Sequence, residues 1–518
     1  MPSVRSLTAA LSAACVATAV SAQAPQREPF PGFDAYVNAA LAAWKVPGAS
    51  VAIVRNDSLI YAKGYGVREV GKPERVTERT IFAIGSSSKA FTAAAVAMQV
   101  DSAKVALDAP AAAYLPNFQL FDPYASKEIT VRDLLSHRSG LSRGELLWYG
   151  AEWDRDEILR RVRFQQPSWS FRSQFGYQNV MYLAAGQVVA RTANVSWDDF
   201  IRQRIFQPLG MRESSTSVTA LQGMSDVAAP HANVNDTVRA IPYRKIDNIA
   251  PAGSINSNAV EMAQWVRLHL GDGKYDGKQL ISKRMVDEMR APQVVVRGMG
   301  NMNPSAHLMA YGLGWFLSDY EGRYVVQHGG NIDGMTALVA MLPEEKFGIV
   351  ILSNMNGSPF PTTVMLRAFD HQMNRPAKEW SVQLRARADS QQAAARAAQA
   401  RNPASQRVAN TKPSLPLSAY VGTYVDSMYG TAKVTEENGT LHFAFGPTWR
   451  GALEHWHFDT FRVRLDTPVL PPAPVHFRLN PAGRVEDVQV ELAGLVTFKR
   501  VPDRPARPAT ASTGGQPQ

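Results

Sequence analysis

Cysteine is nearly absent from this chain of 518 residues, since the only one is Cys15, close to the N-terminus. A single thiol cannot form an intramolecular disulfide, and Cys15 falls in a segment that we expect to be removed on export. The mature chain would then contain no thiol. This excludes a disulfide framework, a cysteine nucleophile and a zinc site built from cysteine ligands.

Long apolar runs are absent as well. No stretch approaches the roughly 20 apolar residues that a membrane-spanning helix requires, and the mean hydropathy is -0.20. Charged residues make up 19% of the chain and hydrophobic residues 45%, which is the balance of a globular protein with a packed core. The composition therefore argues against an integral membrane protein and against a disordered chain.

Acidic residues are scarce in one stretch of this basic protein. The formal net charge is +10, and part of the excess lies between Gln383 and Lys412, where Asp389 is the only acid. A nucleic-acid-binding arm would need interleaved aromatic side chains or a recognised fold, and neither is visible. We predict a solvated basic linker and no nucleic-acid partner. An electrostatic association with an anionic cell envelope stays open.

The N-terminal segment has the pattern of a secretory signal. Arg5 supplies a positive start, residues 7–20 are mostly apolar and small, and Val20-Ser21-Ala22 offers the small residues of a cleavage site. We predict a signal peptide over residues 1–22 and a periplasmic or secreted protein. Attachment of a lipid to Cys15 is disfavoured, because Ser12 stands where such motifs usually carry leucine.

The remaining chain is predicted to form two globular units. Residues 49–54 and 59–65 indicate two strands around a polar turn, residues 90–100 an alanine-rich helix, and residues 324–327, 335–342 and 347–353 further strands. We predict a first unit over residues 23–375 and an Ala- and Arg-rich linker over 376–412, partly an exposed helix ending near Asn402-Pro403. A small all-β unit over 413–501 contains a hairpin at Asn438-Gly439, and a disordered tail covers 502–518.

The first candidate for chemistry is Ser86, in the only Ser-x-x-Lys of the chain. If a helix starts at Ser86, residues three apart share one face, so the amine of Lys89 can reach the Ser86 hydroxyl. A buried amine whose pKa is lowered can take the proton of a serine and make it a nucleophile. Taken alone, the motif also fits an ordinary helix cap with a surface lysine.

Two further motifs follow in order. Tyr177 and Asn179 form a Tyr-x-Asn before an apolar run, where the tyrosine can shuttle a proton if a cation lowers its pKa and the asparagine can orient a lysine or hold a substrate amide. His328-Gly329-Gly330 follows a predicted strand. The histidine can donate a hydrogen bond, and the two glycines can let a substrate approach the backbone closely.

The order and context of these motifs resemble the serine β-lactamase and penicillin-binding-protein family, in the branch whose middle motif is Tyr-x-Asn, over roughly residues 33–374. That branch includes class C β-lactamases, D,D-carboxypeptidases and related esterases and peptidases. The all-β unit is similar to the lipocalin-like C-terminal domain of some of these hydrolases. Further stretches that look like the family are Tyr114-Leu115-Pro116, Ile129 to Leu141, Pro208-Leu209-Gly210-Met211 and Tyr311-Gly312-Leu313-Gly314-Trp315.

The resemblance implies an α/β (α+β) fold, in which an antiparallel sheet built from both ends of the first unit is flanked by helices and carries a helical subdomain. It implies an acyl-enzyme on Ser86 with Lys89 as its base partner and Tyr177 as proton shuttle. Asn179 would position Lys89 and substrate, His328, Gly329 and Gly330 would border the substrate, and the backbone N–H groups of Ser86 and Asn331 would form the oxyanion hole. No cofactor or metal is implied, and the partner is a small-molecule or peptide substrate.

One departure bears on the substrate. His328 stands where β-lactamases usually carry a lysine, and a histidine is largely neutral near pH 7. An esterase or D-amino-acid peptidase is therefore the preferred prediction, and a β-lactamase or D,D-carboxypeptidase is the alternative. A non-catalytic penicillin-binding or sensor protein is the alternative of another class, disfavoured because Ser86, Lys89 and Tyr177 are all present.

Two competing motifs are weighed against this assignment. Gly140-Leu141-Ser142-Arg143-Gly144 fits the Gly-x-Ser-x-Gly elbow of α/β-hydrolases, but the residues before it make a poor buried strand. His455-Trp456-His457-Phe458-Asp459 would place two histidines and a carboxylate on one face of a strand, as some metal sites do. We predict that Ser142 is not the nucleophile and that the second motif is a polar strand face.

Overall fold

The computed structural model describes residues 28–297, 306–401, 406–467, 470–492 and 494–502. The predicted signal peptide with Cys15, and the predicted tail from residue 503 onward, lie outside these ranges. Across the described ranges, no helix has the length and apolar character that would let it cross a membrane.

The helices that the structure describes alternate with strands in the first unit and end before the second. They are α1 (Phe33–Ala43), α2 (Ser88–Asp101), α3 (Pro123–Glu128), α4 (Val131–Ser136), α5 (Arg155–Arg161), α6 (Asn179–Ala193), α7 (Trp197–Ile201), α8 (Ala250–Gly253), α9 (Ala259–Leu270), α10 (Lys283–Met289), α11 (Phe360–Gln372) and α12 (Trp380–Arg401).

The strands of the first unit are β1 (Gly48–Arg55), β2 (Ser58–Gly66), β3 (Phe82–Ala83), β4 (His231–Val234), β5 (Thr237–Ala240), β6 (Asn256–Ser257), β7 (Lys274–Tyr275), β8 (Lys278–Gln279), β9 (Val294–Val295), β10 (Met309–Tyr311), β11 (Phe316–Tyr320), β12 (Arg323–Ile332), β13 (Met335–Leu342) and β14 (Phe347–Ser353). The strands of the second unit are β15 (Gly422–Asp426), β16 (Gly430–Glu437), β17 (Thr440–Phe445), β18 (Trp449–His457), β19 (Thr460–Leu465), β20 (Ala473–Leu479), β21 (Val485–Leu492) and β22 (Gly494–Arg500).

An antiparallel sheet of eight strands, in the order β2-β1-β14-β13-β12-β11-β10-β9, forms the centre of the first unit. Its strands come from both ends of that unit, as the family resemblance implied. β1 pairs with β14, so that Val51 lies opposite Ile351 although 300 residues separate them. Helices α2 to α10 and their loops are inserted between β2 and β9, and they carry most of the parts of the candidate site that β12 does not supply.

Alternate residues of the central strands enter two different cores. In β14, Val350 and Leu352 pack into the core that contains α2 and α9, whereas Ile349 and Ile351 pack into the core that contains α1 and α11. Both faces are therefore covered by helices, and a strand buried on both faces reads as a continuous apolar run rather than as an alternation. The run Phe347 to Ser353 has this character.

Helix α2 is the most deeply enclosed helix near the site. Every residue from Ser88 to Gln99 is buried. Its alanine-rich sequence explains why, since small side chains allow α6 and α8 to pack closely on it. The turn that precedes α2 is consequently held by a closely packed helix next to β12 and β13 of the sheet.

The second unit is a closed barrel of eight strands, β15 to β22, in which each strand pairs with the next and β22 returns to β15. The predicted Asn438-Gly439 hairpin joins β16 and β17. The barrel interior is filled by buried side chains, including Tyr424, Phe443, Phe477 and Phe498. An eight-stranded barrel is narrow enough for side chains to fill it, so this one has a packed core.

The predicted linker is largely the helix α12, whose outer residues are exposed as expected. Its first residues are not, because Trp380 is buried and donates its indole N–H to Asp370 Oδ2 of α11 at 2.8 Å. The helix begins as part of the core between α1 and α11 and only then leaves it, whereas the sequence predicted an exposed linker helix.

Candidate active site

Ser86 lies in a tight turn directly before α2. Residues Gly85–Ser87 form a single 3-10 turn, and the α-helix starts at Ser88, two residues later than the motif alone suggested. Gly85 has a φ of 51°, a conformation that favours glycine. Ser87 Oγ donates to the backbone oxygen of His328 at 3.0 Å, which ties this turn to β12.

Gly330 in β12 packs directly against the same turn. A Cβ at position 330 would lie 1.8 Å from the backbone oxygen of Ile84 and 2.9 Å from the backbone nitrogen of Ser86. At Gly329 the nearest atom to such a Cβ would be 3.5 Å away, an ordinary contact. The space beside Gly330 is therefore occupied by the protein's own backbone, whereas both glycines had been predicted to make room for substrate.

This contrast gives a prediction with a matched control in the same strand. Gly330→Ala should move the Ser86 turn away from β12, lower the stability by about 1–3 kcal/mol and depress hydrolytic activity. Gly329→Ala should stay near the parent protein in both respects. Thermal unfolding and ester hydrolysis of the two variants check this, and equal behaviour of the pair would contradict the close packing.

Lys89 lies one helical turn after Ser86 and is fully buried. Its Nζ is 3.0 Å from Ser86 Oγ, 2.7 Å from Asn179 Oδ1 and 2.8 Å from the backbone oxygen of Ala252. The two last-named partners are oxygens that only accept. A neutral amine has two N–H groups and one lone pair, so when both N–H groups bind these oxygens, the lone pair is left for the Ser86 hydroxyl.

The electrostatics favour that neutral amine. Burial lowers the pKa of Lys89 well below its usual value of 10.5, because a charged ammonium loses its hydration there. The positive charge of Arg143 lowers this pKa further, and the negative charge of Glu145 opposes both effects. The arrangement suits a group that accepts a proton.

Tyr177 covers the other side of Lys89. The Lys89 Nζ lies 4.7 Å from the centre of the Tyr177 ring, and the Arg143 guanidinium lies 4.9 Å from it. Burial raises the pKa of Tyr177 above its usual value of 10, while a side-chain hydrogen bond with Ser86 and the charge of Arg143 oppose the rise. A nearby cation was the condition under which this pKa would fall, but desolvation of the phenol is the larger effect. Tyr177 is a neutral phenol at neutral pH.

Asn179 begins α6 and connects the lysine to a carboxylate. Its Oδ1 accepts from Lys89, and its Nδ2 lies 3.1 Å from Glu145 Oε2, to which it donates. Glu145 also accepts from the Arg143 guanidinium, and Arg143 is 58% exposed. The amide therefore has a fixed orientation, with its oxygen on the amine and its nitrogen on the acid.

His328 lies behind the site rather than in its opening. Its side chain is 1% exposed, its Nε2 is 3.0 Å from the hydroxyl of Tyr311, and its Nδ1 is 2.6 Å from the backbone oxygen of Gly329. Burial, and then the nearby Lys89, lower the pKa of His328 to about 3. The imidazole is neutral at neutral pH.

A cavity of about 370 Å³ opens above Ser86. Asn179 and Asn331 line it, together with Arg143 and Glu145. Two residues of the barrel line it as well, namely Trp449 and Leu470. The structure thus brings together Ser86, Lys89, Tyr177 and Asn179, and it places Asn331 in the lining of the same cavity. The ring of His328 is buried behind these residues and is not part of that lining.

Comparison with known families agrees with this arrangement, since residues 33–371 match the family model described as Beta-lactamase, well over half of the chain. The chain belongs to the beta-lactamase family. Residues 406–502, which include the barrel, match a model described as a domain of unknown function, DUF3471.

Relatives of this beta-lactamase-family chain include proteins named as hydrolases. The unguisins hydrolase ungD of Aspergillus violaceofuscus is 26% identical over 490 residues, covering 87% of this chain and 86% of the relative. The unguisins hydrolase ungD' of Aspergillus campestris is 28% identical over 335 residues, 62% and 61% of the two chains. The protein flp of Staphylococcus aureus is 23% identical over 324 residues, 62% of each. The chain is a serine hydrolase of this family.

Solved structures confirm the predicted fold. The octameric penicillin-binding protein homologue from Pyrococcus abyssi superimposes with a TM-score of 0.61 at 22% identity, covering 90% of this chain and 99% of that one. The crystal structure of SurE gives a TM-score of 0.55 at 21% identity, with 91% and 98% covered. At these identities the likeness concerns the fold alone.

The two competing motifs lack the structural context they require. Ser142 follows the helix α4 and a coil, without the strand and helix of a nucleophile elbow. In β18 the register shifts between His455 and His457, and Asp459, beyond the end of the strand, accepts from both the backbone and the side chain of Ser414. Within the described ranges, no group of three or more His, Cys, Asp or Glu side chains is placed to hold a metal ion.

Several residues of the site were missed from the sequence. Arg143 was considered only as part of a competing serine motif, and Glu145 was not considered. His137, quoted only as part of a family stretch, packs its ring 4.4 Å from that of Tyr177 and accepts from the backbone N–H of Gln178 at 3.1 Å through Nδ1. The signal that could have found the charged pair is an Arg-x-Glu in a loop that follows a family-like motif.

Proposed function

We propose that this chain is an exported serine hydrolase that cleaves esters or amides through an acyl-enzyme on Ser86. The observation that carries the proposal is the contact set of Lys89, a buried amine whose two acceptor partners leave its lone pair for the Ser86 hydroxyl. Relatives named as hydrolases support a hydrolytic reaction. Export rests on the predicted signal peptide over residues 1–22.

Acylation begins when Lys89 Nζ takes the proton of Ser86 and the Ser86 Oγ forms a bond to the carbonyl carbon. The carbonyl oxygen gains negative charge, and the backbone N–H groups of Ser86 and Asn331, two residues that line the cavity, stabilise it. The tetrahedral species then loses its alcohol or amine. Tyr177 donates its phenolic proton to that leaving group and regains one from the Lys89 ammonium.

Deacylation reverses the same proton path. Water gives a proton to the Lys89–Tyr177 pair and adds to the acyl carbonyl carbon, after which the bond to Ser86 Oγ breaks and Ser86 recovers its proton. Asn179 keeps Lys89 in place throughout, because its amide is fixed between the amine and Glu145. Water is the only reactant consumed besides the substrate.

The pH profile should respond to the two charges beside Lys89 with opposite signs. The reaction needs a neutral Lys89, so kcat/KM should fall as the pH drops through the pKa of this amine. Arg143→Gln removes a charge that lowers that pKa and should move the acid limb to higher pH, whereas Glu145→Gln should move it to lower pH. We expect shifts of about 0.3–1 pH unit, because solvent screens the exposed guanidinium.

The control is built into this pair of variants, since both replace a charged side chain by glutamine in the same ion pair. The measurement is kcat/KM for a p-nitrophenyl ester between pH 4 and 9. Shifts of both acid limbs in one direction would contradict the assignment of Lys89 as the base.

Substrate choice follows from His328. A β-lactam carries a carboxylate that a fixed cation would hold, and the buried, neutral imidazole of His328 offers no such charge. The guanidinium of Arg143 lines the cavity but is paired with Glu145. We expect kcat/KM for a short p-nitrophenyl ester to exceed that for a chromogenic cephalosporin by about tenfold or more, the effect of roughly one charge-assisted hydrogen bond. If the same preparation prefers the cephalosporin, the proposed function should be changed to that of a β-lactamase.

A further inference from the structure

The barrel contacts the site through its rim rather than through its interior. The interior that the described barrel residues enclose is filled by buried aromatic and aliphatic side chains. The first residue of β18, Trp449, and Leu470, which lies between β19 and β20, instead line the cavity above Ser86. A residue more than 360 positions after the candidate nucleophile thus helps to form the wall of its cavity.

This rim is attached firmly to the first unit. Trp449 Nε1 donates to the backbone oxygen of Tyr149 at 3.2 Å, and the centres of the two rings are 5.8 Å apart. Leu146 is buried in the barrel's own core. From the other side, Met428 of the barrel segment is buried in the core that contains α2. The two units exchange apolar side chains across the contact, so the position of the rim is well defined.

A polar network fixes the rim relative to the end of β12. The Arg244 guanidinium donates to Asp333 Oδ2 at 3.0 Å, to Thr448 Oγ1 at 3.1 Å and to the Tyr149 hydroxyl at 3.2 Å. Tyr149 donates in turn to Asp333 at 2.7 Å. Thr448 is the neighbour of Trp449, and Asp333 is two residues from Asn331. The network therefore links the barrel rim to the strand that borders Ser86.

A large part of the wall that the two units build together is apolar. Its aromatic and aliphatic side chains include Trp148, Ile246, Ile249, Ile332, Trp449 and Leu470. A volume of about 370 Å³ exceeds what a group as small as acetyl needs, and lies within the range of sites that enclose small organic ligands. An apolar substrate group that packs against such a wall leaves water, which makes its binding free energy more favourable.

We infer that Trp449 and Leu470 form a specificity-determining subsite that binds a bulky aromatic or branched aliphatic group of the substrate, next to the bond that is cleaved. The inference rests on the proposed function, because it concerns the substrate of Ser86. The C-terminal barrel is then the part of the chain that selects substrates by size and hydrophobicity, while the first unit supplies the chemistry.

The test compares two ester series on the full-length protein. One keeps the p-nitrophenyl group and enlarges the acyl group from acetyl to phenylacetyl and hexanoyl. The other keeps the acetyl group and enlarges the alcohol from ethyl to naphthyl. The parent protein should prefer the bulky member of one series, and Leu470→Ala should lower the ratio of kcat/KM for the bulky over the small ester by about tenfold.

Leu495→Ala is the matched control, because Leu495 lies on β22 of the same barrel and is 62% exposed. It should leave the ratio unchanged. Trp449 is buried, so Trp449→Phe rather than alanine serves as the second variant. It keeps an aromatic ring in the wall, loses the indole N–H and should lower the same ratio.

A response in either series supports the subsite and tells which side of the scissile bond occupies it. Unchanged ratios in both Leu470→Ala and Trp449→Phe, with esters still cleaved, overturn the subsite and leave the proposed function standing. If the parent protein cleaves no ester and Ser86 takes up no covalent probe, the proposed function fails and the subsite falls with it.

Discussion

Ser86→Ala should abolish covalent labelling by a fluorophosphonate probe and lower kcat/KM for p-nitrophenyl esters by about 10⁴-fold or more. Removal of a serine nucleophile takes away the whole covalent path and leaves only binding and electrostatic stabilisation, which is why such losses are large. The variant should fold normally, because Ser86 is only partly buried and its hydroxyl bonds to the side chains of Lys89 and Tyr177 rather than to the backbone of the turn. Mass spectrometry of the labelled parent protein should locate the adduct on the peptide that contains Ser86.

Ser142→Ala is the matched control for this experiment. It makes the same chemical change at the serine of the competing elbow motif. The contacts of Ser142 with Gln165 and Gln178 are made by its backbone oxygen, which accepts from both side chains and is kept in the variant. The variant should keep most of the hydrolytic rate. Two results would contradict the assignment of the nucleophile. One is labelling that persists in Ser86→Ala, and the other is a loss of kcat/KM in Ser142→Ala as large as that in Ser86→Ala.

Five of the eight strands of the central sheet could be predicted, because the pattern of each is local, whereas β9, β10 and β11 were missed. The predicted strands 335–342 and 347–353 have the bounds of β13 and β14, and the apolar run and the turn between them suffice to place both. The strand before His328 was predicted to end at Gln327, yet β12 continues to Ile332. Two glycines look like a break in a sequence, whereas here Gly330 allows the strand to pass close to the Ser86 turn.

The charged and distant parts of the site could not be predicted in the same way. Burial decides the sign of the Tyr177 pKa shift, and burial depends on packing that no spacing reveals. Arg143 and Glu145 act on Lys89 through space, from a loop without regular periodicity. Trp449 reaches the cavity only because a separate barrel docks on the first unit. Motifs therefore identified the reacting groups. They did not identify the groups that shift the pKa of Lys89 or that line the substrate cavity.

Lys89 and Tyr177 should behave as one unit with Ser86. Lys89→Ala should lower kcat/KM for esters by about 10³-fold or more, and Tyr177→Phe should lower it by about 10²-fold, which is the usual range for loss of a proton-transfer group. The double variant should be little worse than Lys89→Ala alone. Once the amine is gone, the phenol has no partner from which to regain its proton, so its own loss adds little.

The measurement is a double-mutant cycle on kcat/KM, read as free energies. Because Lys89 is fully buried, Lys89→Met is a second variant that keeps the length of the side chain and removes the amine, and thermal unfolding of both variants separates loss of fold from loss of chemistry. Asn179 and Ala252 lose their partner in either variant, so a fall in stability shared by the two belongs to those unpaired oxygens. Losses that multiply fully across the cycle would mean that Lys89 and Tyr177 act on different steps, and the shared proton path from Ser86 to the leaving group would have to be abandoned.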